Sequence, residues 1–161
     1  MIDSLVGIEK ILRFGLFKDF EKNPEALQVL ASLMKRVVFE TRDLIIDEKQ
    51  SDDRMFFLLN GEVHINKVDD RGNIVIIGRA NSKQNPYFGE SILLGKFRKS
   101  ANVIAHGRCE CLSLSTSDFE VLTQKFPSLM ASLYRSIAAV LFERLMKANQ
   151  DLLILGTLSK G

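Results

Sequence analysis

The chain has 161 residues, of which 22 are Lys or Arg, 20 are Asp or Glu and 46% are hydrophobic. This length and hydrophobic content predict one domain with its own core, which needs neither disulfides nor metals. The net charge of +2 argues against a basic surface for bulk nucleic-acid binding. Cysteine occurs only as Cys109 and Cys111, which favours a reduced, cytoplasmic protein over a disulfide framework. No apolar run approaches the roughly 18 residues of a membrane span, and the N-terminus lacks a signal-peptide core.

Helical periodicity marks the first part of the chain. Residues 3–16 carry apolar side chains at helical spacing, namely Leu5, Ile8, Ile11 and Leu12. A second helix is predicted from Pro24 to Lys35, because Asn23 is a suitable N-cap and proline suits the first helical position.

Short β-rich runs then alternate with turn signals from Val37 to Ser115. The Asn60-Gly61 dipeptide between two of these runs predicts a tight hairpin, and residues 69–73 predict another turn. Many short strands at this spacing are typical of a small barrel or jelly roll. The predicted strands are Val37–Phe39, Leu44–Ile46, Met55–Leu59, Val63–Val68, Ile74–Gly78, Ala101–Ala105 and Glu110–Leu114.

Helices return after the strands. The segment Ser117–Glu120 has the form of a capping box, which predicts a short helix ending near Phe126. Pro127 then predicts the start of a longer helix that ends near Leu155. The predicted organisation is a single domain over residues 1–161, with helices in 1–36, a β-roll in 37–115 and helices in 116–155.

The last predicted helix carries two apolar stripes. One consists of Met130, Leu133, Ile137 and Val140. The other has heptad spacing, as a parallel pair of helices requires, and consists of Tyr134, Ala138, Leu141, Leu145, Ala148, Leu152 and Leu155. We expect homodimerisation through this helix. The alternative is a helix that is buried on two sides within its own chain.

The segment from Tyr87 to Val103 combines the features of an anion site. Glycine at 89 lets a ligand approach the backbone, and free amides at the start of a short helix attract anions. The carboxylate of Glu90 suits ribose hydroxyls, while the ammonium of Lys99 suits a phosphate. The alternative is a glycine turn beside a solvated run of charges that includes Lys96 and Arg98.

Several stretches, in order, resemble the cyclic nucleotide-binding domain, the module of catabolite activator protein and of cyclic-nucleotide-dependent kinases and gated channels. Asp53–Val63 resembles its D-x-M-Y-x-I-x-x-G-E-V hairpin. Phe88–Leu94 resembles its F-G-E-x-A-L-L phosphate-binding cassette, and Lys99–Val103 resembles the closing R-[STA]-A-x-V. Ala105–Leu114 resembles A-x-x-x-C-x-L-x-x-L, with Cys111 in place of the first leucine. The resemblance implies a mainly β fold, a β-roll with N-terminal helices and a long C-terminal helix.

The resemblance also implies the roles of individual residues within a cassette spanning 88–103. Gly89 and Glu90 would meet the ribose 2′-hydroxyl, and Ser100 and Ala101 would meet the cyclic phosphate. The full set of ligand-binding residues implied is Phe88, Gly89, Glu90, Ser91, Lys99, Ser100 and Ala101. The last helix would cover the base, through Arg144, Lys147 or Asn149. The ligand implied is cAMP or cGMP, with no other cofactor.

One departure from the family pattern concerns the phosphate-binding arginine, whose position Lys99 occupies. Lysine supplies a charge but not the planar fork that binds two phosphate oxygens. Side chains of neighbouring strand residues point to opposite faces, so Arg98 replaces it only if the loop slips by one residue. Losing a bidentate contact would cost on the order of 1.5–3 kcal/mol.

Other classes of protein are less well supported. His64 and His106 are distant in sequence and form no H-x-H pair, which argues against the histidine-rich metal site of the cupins. No catalytic triad, P-loop or pair of catalytic carboxylates stands out, so we expect no enzyme activity. Few residues follow Leu155, so we expect no recognition helix for DNA. The sequence predicts a stand-alone sensor that signals to an unidentified protein effector. Its rival is a degenerate fold that dimerises or docks without binding nucleotide.

Overall fold

The computed structural model describes residues 7–95 and 99–158 of the chain. Its helices are α1 (Ile8–Leu12), α2 (Pro24–Leu33), α3 (Thr116–Lys125) and α4 (Pro127–Leu158). Its strands are β1 (Lys35–Phe39), β2 (Leu44–Ile46), β3 (Arg54–Val68), β4 (Ile74–Asn81), β5 (Tyr87–Phe88) and β6 (Asn102–Ser115). Three 3-10 helices complete the described elements and span Gly15–Lys22, Ser82–Gln84 and Glu90–Leu94.

The six strands form one antiparallel sheet in which β1, β6, β3 and β4 are neighbours in that order. Strand β2 also pairs with β6, and β5 pairs with β3. The two longest strands, β3 and β6, run alongside each other from the Arg54–Ser115 pair to the Asn66–Asn102 pair. Helices flank this sheet at both ends of the chain, so the predicted β-roll with flanking helices is confirmed.

Strand β3 has apolar residues on both of its faces. Phe56 and Leu58 pack into the interior of the roll, where Cys109 and Cys111 also lie as free, buried thiols. The alternate residues of β3, among them Phe57, pack into a second cluster with the flanking helices. Since successive strand residues point to opposite faces, a strand between two cores needs a continuous apolar run. This explains the unbroken sequence Met55–Leu59.

The predicted hairpin at Asn60-Gly61 is wrong, because β3 continues straight through it. Gly61 has a φ of +102°, and a Cβ there would lie 2.7 Å from the Sγ atom of Cys109. The pairing register with β6 shifts on both sides of Asn60, which is the signature of a β-bulge, a second use of glycine with positive φ. Gly107, with φ of +89°, likewise lies within β6, where two separate strands were predicted.

The second predicted turn is present at residues 69–73. One carboxylate oxygen of Asp69 accepts hydrogen bonds from the backbone amides of Arg71 at 2.9 Å and Asn73 at 2.8 Å. Such a local carboxylate bond favours a turn over continued strand. This turn, and not the one at Asn60, therefore joins β3 to β4.

The helix boundaries follow local capping. The Asn23 side chain accepts a hydrogen bond from the Ala26 amide at 3.0 Å, as predicted. Helix α2 ends at Leu33, two residues before the predicted Lys35, because Met34 takes an extended conformation. The capping box of α3 is formed by Ser115 and Asp118, two residues before the predicted pair. The predicted N-terminal helix is represented by α1 and the following 3-10 helix, and its residues 3–6 lie outside the described part.

Helix α4 is docked by only one of its two apolar stripes. Met130, Leu133 and Ile137 are buried, where α4 packs against the 3-10 helix Gly15–Lys22. Every member of the second stripe is exposed, so the alternative that α4 is buried on two sides by its own chain is wrong for the described residues. No helix within 7–95 and 99–158 is both long and apolar enough to cross a membrane.

Candidate functional site

The cassette begins with a glycine turn that no other residue fits well. Gly89 follows β5 with a φ of +88°, and a Cβ at this position would lie 2.8 Å from the carbonyl oxygen of Arg54. Phe88 is buried in the interior of the roll, with Phe56 of β3 as its strand partner. The next residues form the short helix Glu90–Leu94. Phe88 therefore anchors the turn, and Gly89 lets the backbone of the cassette approach β3 closely.

Lys99 brings a buried positive charge beneath this turn. Its side chain is among the few buried polar groups of the described residues, with a relative exposure of 6%. The Nζ atom donates to the carbonyl oxygens of Arg54 at 3.3 Å and Gly89 at 3.5 Å. Burial lowers the pKa of Lys99, although the carboxylates of Asp52 and Glu90 oppose that shift. An ammonium that has lost most of its water is a group that an anionic ligand would stabilise.

Glu90 connects the cassette to α4. Its Oε1 atom accepts a hydrogen bond from the Nη1 atom of Arg144 at 2.6 Å, and the Glu90 side chain is only 18% exposed. The Arg144 guanidinium also lies over the ring of Tyr87, 5.8 Å from its centroid. The ion pair joins residues that are 54 positions apart. The carboxylate that would bind a ribose is thus already occupied by a side chain from the last helix.

Two buried hydroxyls lie in the same segment. The Oη atom of Tyr87 and the Oγ atom of Ser91 have no hydrogen-bond partner within the described residues. Burial raises the pKa of the Tyr87 phenol, while the charge of Arg144 lowers it, so the ring holds its proton as a neutral donor. An unsatisfied buried hydroxyl costs about 1–3 kcal/mol. A rearrangement of the cassette that supplied partners would therefore be favourable for both groups.

An open cleft of about 1040 Å³ adjoins the far end of the cassette. Among the predicted site residues, Lys99 and Ser100 line it, whereas Gly89 and Glu90 do not. Ser100 is exposed and Ala101 is buried. The other lining residues come from the β2–β3 and β3–β4 connections and their flanks, and they are Glu48, Lys49, Gln50, Ser51, Lys67, Val68 and Asp69. The cleft is large enough for a nucleotide-sized ligand.

The three predicted base contacts do not lie together in the structure. Arg144 lies at the cassette, as described above. Lys147 and Asn149 are exposed and line a shallow groove along α4 together with Phe142, Glu143, Met146, Gln150 and Leu153. Lys96 and Arg98 fall outside the described residues. The structure therefore brings Gly89, Glu90, Lys99 and Arg144 together and leaves the other two residues of α4 apart from them.

Sequence reasoning missed the contribution of Arg54. Its carbonyl oxygen contacts Lys99, and its guanidinium pairs with the carboxylate of Asp52 at 2.9 Å. Arg54 lies inside the Asp53–Val63 motif, so the motif marks its position. Its contact with Lys99 is made by a backbone carbonyl, however, and residue type does not reveal a backbone acceptor. The two cysteines, in contrast, carry no sign of reactivity, since burial raises the pKa of both thiols and that of Cys111 to about 12.

Comparison with known proteins decides the family. The family model of the cyclic nucleotide-binding domain matches residues 36–126, which is more than half of the chain. The chain belongs to this family. The matched range begins at the second residue of β1, contains β2 to β6, the cassette and α3, and ends just before α4.

The relatives of this cyclic nucleotide-binding domain are much longer proteins. It is 29% identical over 131 residues to the mouse potassium/sodium hyperpolarization-activated cyclic nucleotide-gated channel 2, covering 81% of this chain and 14% of the channel. The rabbit channel 4 of the same name is 27% identical over 133 residues, covering 81% of this chain and 10% of the channel. The chain thus spans a small part of the curated relatives that it matches.

Solved structures share the fold of this domain at low sequence identity. Catabolite activator protein from Thermus thermophilus superposes with a TM-score of 0.71 at 23% identity, covering 88% of this chain and 62% of that one. The regulatory domain of Toxoplasma gondii PKA, solved with cAMP, gives a TM-score of 0.69 at 18% identity, covering 84% of this chain and 48% of that one. At these identities the likeness shows the fold alone.

Proposed function

We propose that this domain is a regulatory sensor without enzyme activity, which binds a cyclic nucleotide in the cytoplasm and favours cAMP slightly over cGMP. The observation that carries the proposal is the convergence of two charges on one glycine turn. Lys99 lies 3.5 Å from the Gly89 carbonyl oxygen, and Glu90 is the next residue along the chain. A cation and a carboxylate at one backbone turn suit a ligand with both a phosphate and ribose hydroxyls.

The phosphate end would rest on Lys99 and on the backbone of Ser100 and Ala101. An ammonium has three donors, and the two carbonyl contacts of Lys99 leave one for a phosphate oxygen. Arginine would offer a planar fork at the same place. Lysine is therefore expected to bind the phosphate as a point charge, with lower affinity than arginine but without loss of the site.

The ribose end would compete with α4 for Glu90. A ribose hydroxyl that donates to the Glu90 carboxylate would take the place of the Arg144 guanidinium. The released Arg144 would then be available to the base, as the resemblance implies. A ligand shifts a conformational equilibrium only by its differential affinity for the two states. This exchange of partners would therefore reposition the C-terminal helices, and the free energy available for that shift would be modest. That movement would be the signal to an unidentified protein effector.

The exposed stripe of α4 supports a homodimer. Leu141, Leu145, Leu152 and Leu155 are all exposed, and their heptad spacing fits a parallel pair of helices. Pairing would bury these side chains, each worth about 1.5–3 kcal/mol when fully buried. Light scattering on concentrated protein tests the dimer, and a monomeric mass at high concentration would exclude it. We propose no direct contact with nucleic acid or membrane.

A second candidate function is a degenerate domain that serves only as an interaction module. The observation that favours it is the capture of Lys99 by two backbone carbonyls together with the ion pair on Glu90. Both charges then have internal partners without a ligand. In that case the exposed face of α4 would be the functional surface.

Calorimetric titration with cAMP and cGMP separates the two candidates. The sensor predicts measurable binding by the wild type, tighter binding by Lys99→Arg and weaker binding by Glu90→Ala. The interaction module predicts no heat from the wild type, and recovery of binding in Lys99→Arg would identify it as a degenerate pocket. Wild-type binding that is unchanged in Glu90→Ala would mean that the ligand lies elsewhere.

A further inference from the structure

The two histidines of the chain meet on the outer face of the roll, although 42 positions separate their numbers, 64 and 106. His64 lies on β3 two residues after Glu62, and Glu62 is the direct cross-strand partner of His106 on β6. Residues that are two apart on a strand, or directly opposite across a pair, share one face of the sheet. All three side chains therefore project from the same patch, which faces away from the buried Val63 between them.

The distances within this patch suit a chelate. The Nε2 atom of His64 lies 3.4 Å from the Oε1 atom of Glu62. The imidazoles are stacked with centroids 4.2 Å apart, and one ligand atom from each of the three residues lies within 4.8 Å of the others. Zn–N and Zn–O bonds of about 2.0–2.2 Å place the ligand atoms of a tetrahedral ion about 3.3–3.6 Å apart. The distance between His64 and Glu62 already falls in this range. Rotation of the exposed His106 ring would bring its ligand atom within the same distance of the other two.

We propose that Glu62, His64 and His106 bind one divalent transition-metal ion, with Zn²⁺ as the ion of choice. Two imidazoles and one carboxylate form a borderline ligand set, which Zn²⁺ accepts and which Mg²⁺ and Ca²⁺ do not prefer. Since His106 is exposed, water fills the remaining coordination position. A neighbouring positive charge is that of Arg79, the β4 partner of His64, and it lowers the affinity without removing a ligand.

This site is independent of the proposed nucleotide site. None of the three ligands lines the cleft beside the cassette, and none belongs to the segment 88–103. The ion would join β3 to β6 through side chains, in addition to the backbone pairing of these strands. Anything that binds only the folded state stabilises it by mass action, so the expected result of metal binding is a more stable roll.

Calorimetric titration of tag-free protein with ZnCl₂ tests the proposal. Because the chain has only two histidines, histidine binding elsewhere is excluded by composition once the tag is removed. We expect one ion per chain in the wild type. His106→Ala, at an exposed position, and Glu62→Gln should each weaken binding at least about tenfold, since loss even of an outer-shell partner typically costs 10–100-fold. Glu40→Gln is the matched control, because Glu40 is an exposed carboxylate outside the patch, and it should bind like the wild type.

Thermal unfolding with and without Zn²⁺ gives the second readout. The wild type and Glu40→Gln should show a rise in Tm with Zn²⁺ that His106→Ala lacks. A wild type without saturable heat would overturn the proposal. So would equal affinity in the wild type and His106→Ala, because the ion would then lie elsewhere. Glu90→Ala, which is designed to impair the nucleotide site, should bind Zn²⁺ normally, so the two sites fail independently.

Discussion

The two charged ends of the cassette are held in opposite ways. Lys99 is buried, and its partners are backbone carbonyl oxygens of Arg54 and Gly89. Glu90 is partly exposed, and its partner is the side chain of Arg144 on the last helix. Backbone acceptors move only when the fold moves, whereas a side-chain ion pair can exchange partners at small cost. In the proposed sensor the phosphate would therefore be bound at a point fixed by the roll, and the ribose would be bound at a carboxylate that is free to report its state to α4.

Gly89→Ala should give the largest effect, because it disturbs the turn that both ends share. An alanine here would adopt a left-handed conformation and place its Cβ 2.8 Å from the Arg54 carbonyl oxygen. We expect a loss of about 2–4 kcal/mol in the free energy of unfolding, measured by urea denaturation. Gly95→Ala is the matched control, since Gly95 also has a positive φ of +65° but, apart from its chain neighbours, no atom of residues 7–95 and 99–158 lies within 4 Å of a Cβ there. Its loss should stay near 1–2 kcal/mol, and equal losses in both variants would contradict the close approach.

Lys99→Ala should give the next largest effect, on the affinity for cAMP. Removing a charge-assisted hydrogen bond to phosphate costs about 1.5–3 kcal/mol, or roughly 10–100-fold in Kd. Lys49→Ala is the matched control, because Lys49 lines the same cleft but is exposed. Calorimetry should show less than about a threefold change for it, as for a screened surface charge. An equal loss of affinity in both variants would mean that Lys99 contributes no more to phosphate binding than an exposed lysine of the cleft does.

Alkaline pH should weaken cAMP binding through Lys99 alone. Burial lowers the pKa of this ammonium in the free protein, and a bound phosphate would raise it again. Above the pKa of the free protein, binding must take up a proton, so affinity falls by at most about tenfold per pH unit. Below that pKa the lysine is charged in both states and affinity is flat. The Kd of Lys99→Arg, measured over the same range, should stay constant, and a parallel fall in both proteins would assign the titration to another group.

The ion pair at the ribose end should give the smallest effect. A double-mutant cycle of Glu90→Ala and Arg144→Ala, read by urea denaturation without ligand, should yield a coupling of about 0.2–1 kcal/mol. Replacing Arg144→Ala by Arg135→Ala, an exposed arginine of the same helix, provides the control cycle and should show no coupling. A coupling near zero in the cycle of Glu90 and Arg144 would mean that their ion pair does not link the cassette to α4 energetically.

The sequence predicted those parts of the fold that local chemistry determines. The cap at Asn23, the turn at Asp69 and the start of α4 at Pro127 each depend on residues within a few positions. The prediction of a hairpin at Asn60-Gly61 failed because the same glycine signal occurs both in tight turns and in β-bulges. What decides between them is the close approach of Cys109, a contact across the sheet that the local sequence does not contain.

In the candidate site, too, the sequence predicted the local arrangement but not the long-range contacts. The motifs placed Gly89, Glu90 and Lys99 in one segment, because these residues are close in the chain. They could not place the Arg54 carbonyl on Lys99, the guanidinium of Arg144 on Glu90, or the two histidines against each other. Those contacts join positions that are far apart in sequence, and the pairing of β3 with β6 and the path of α4 create them.

The most direct test of the central claim is an amide NMR titration of ¹⁵N-labelled protein with cAMP. We predict saturable shifts that are largest at Gly89, Glu90, Ser100 and Ala101, followed by shifts around Arg144 as the ion pair with Glu90 opens. In Lys99→Ala the same amides should shift only at cAMP concentrations roughly 10–100-fold higher. Saturable shifts confined to residues outside the cassette, or no shifts at all, would contradict the account.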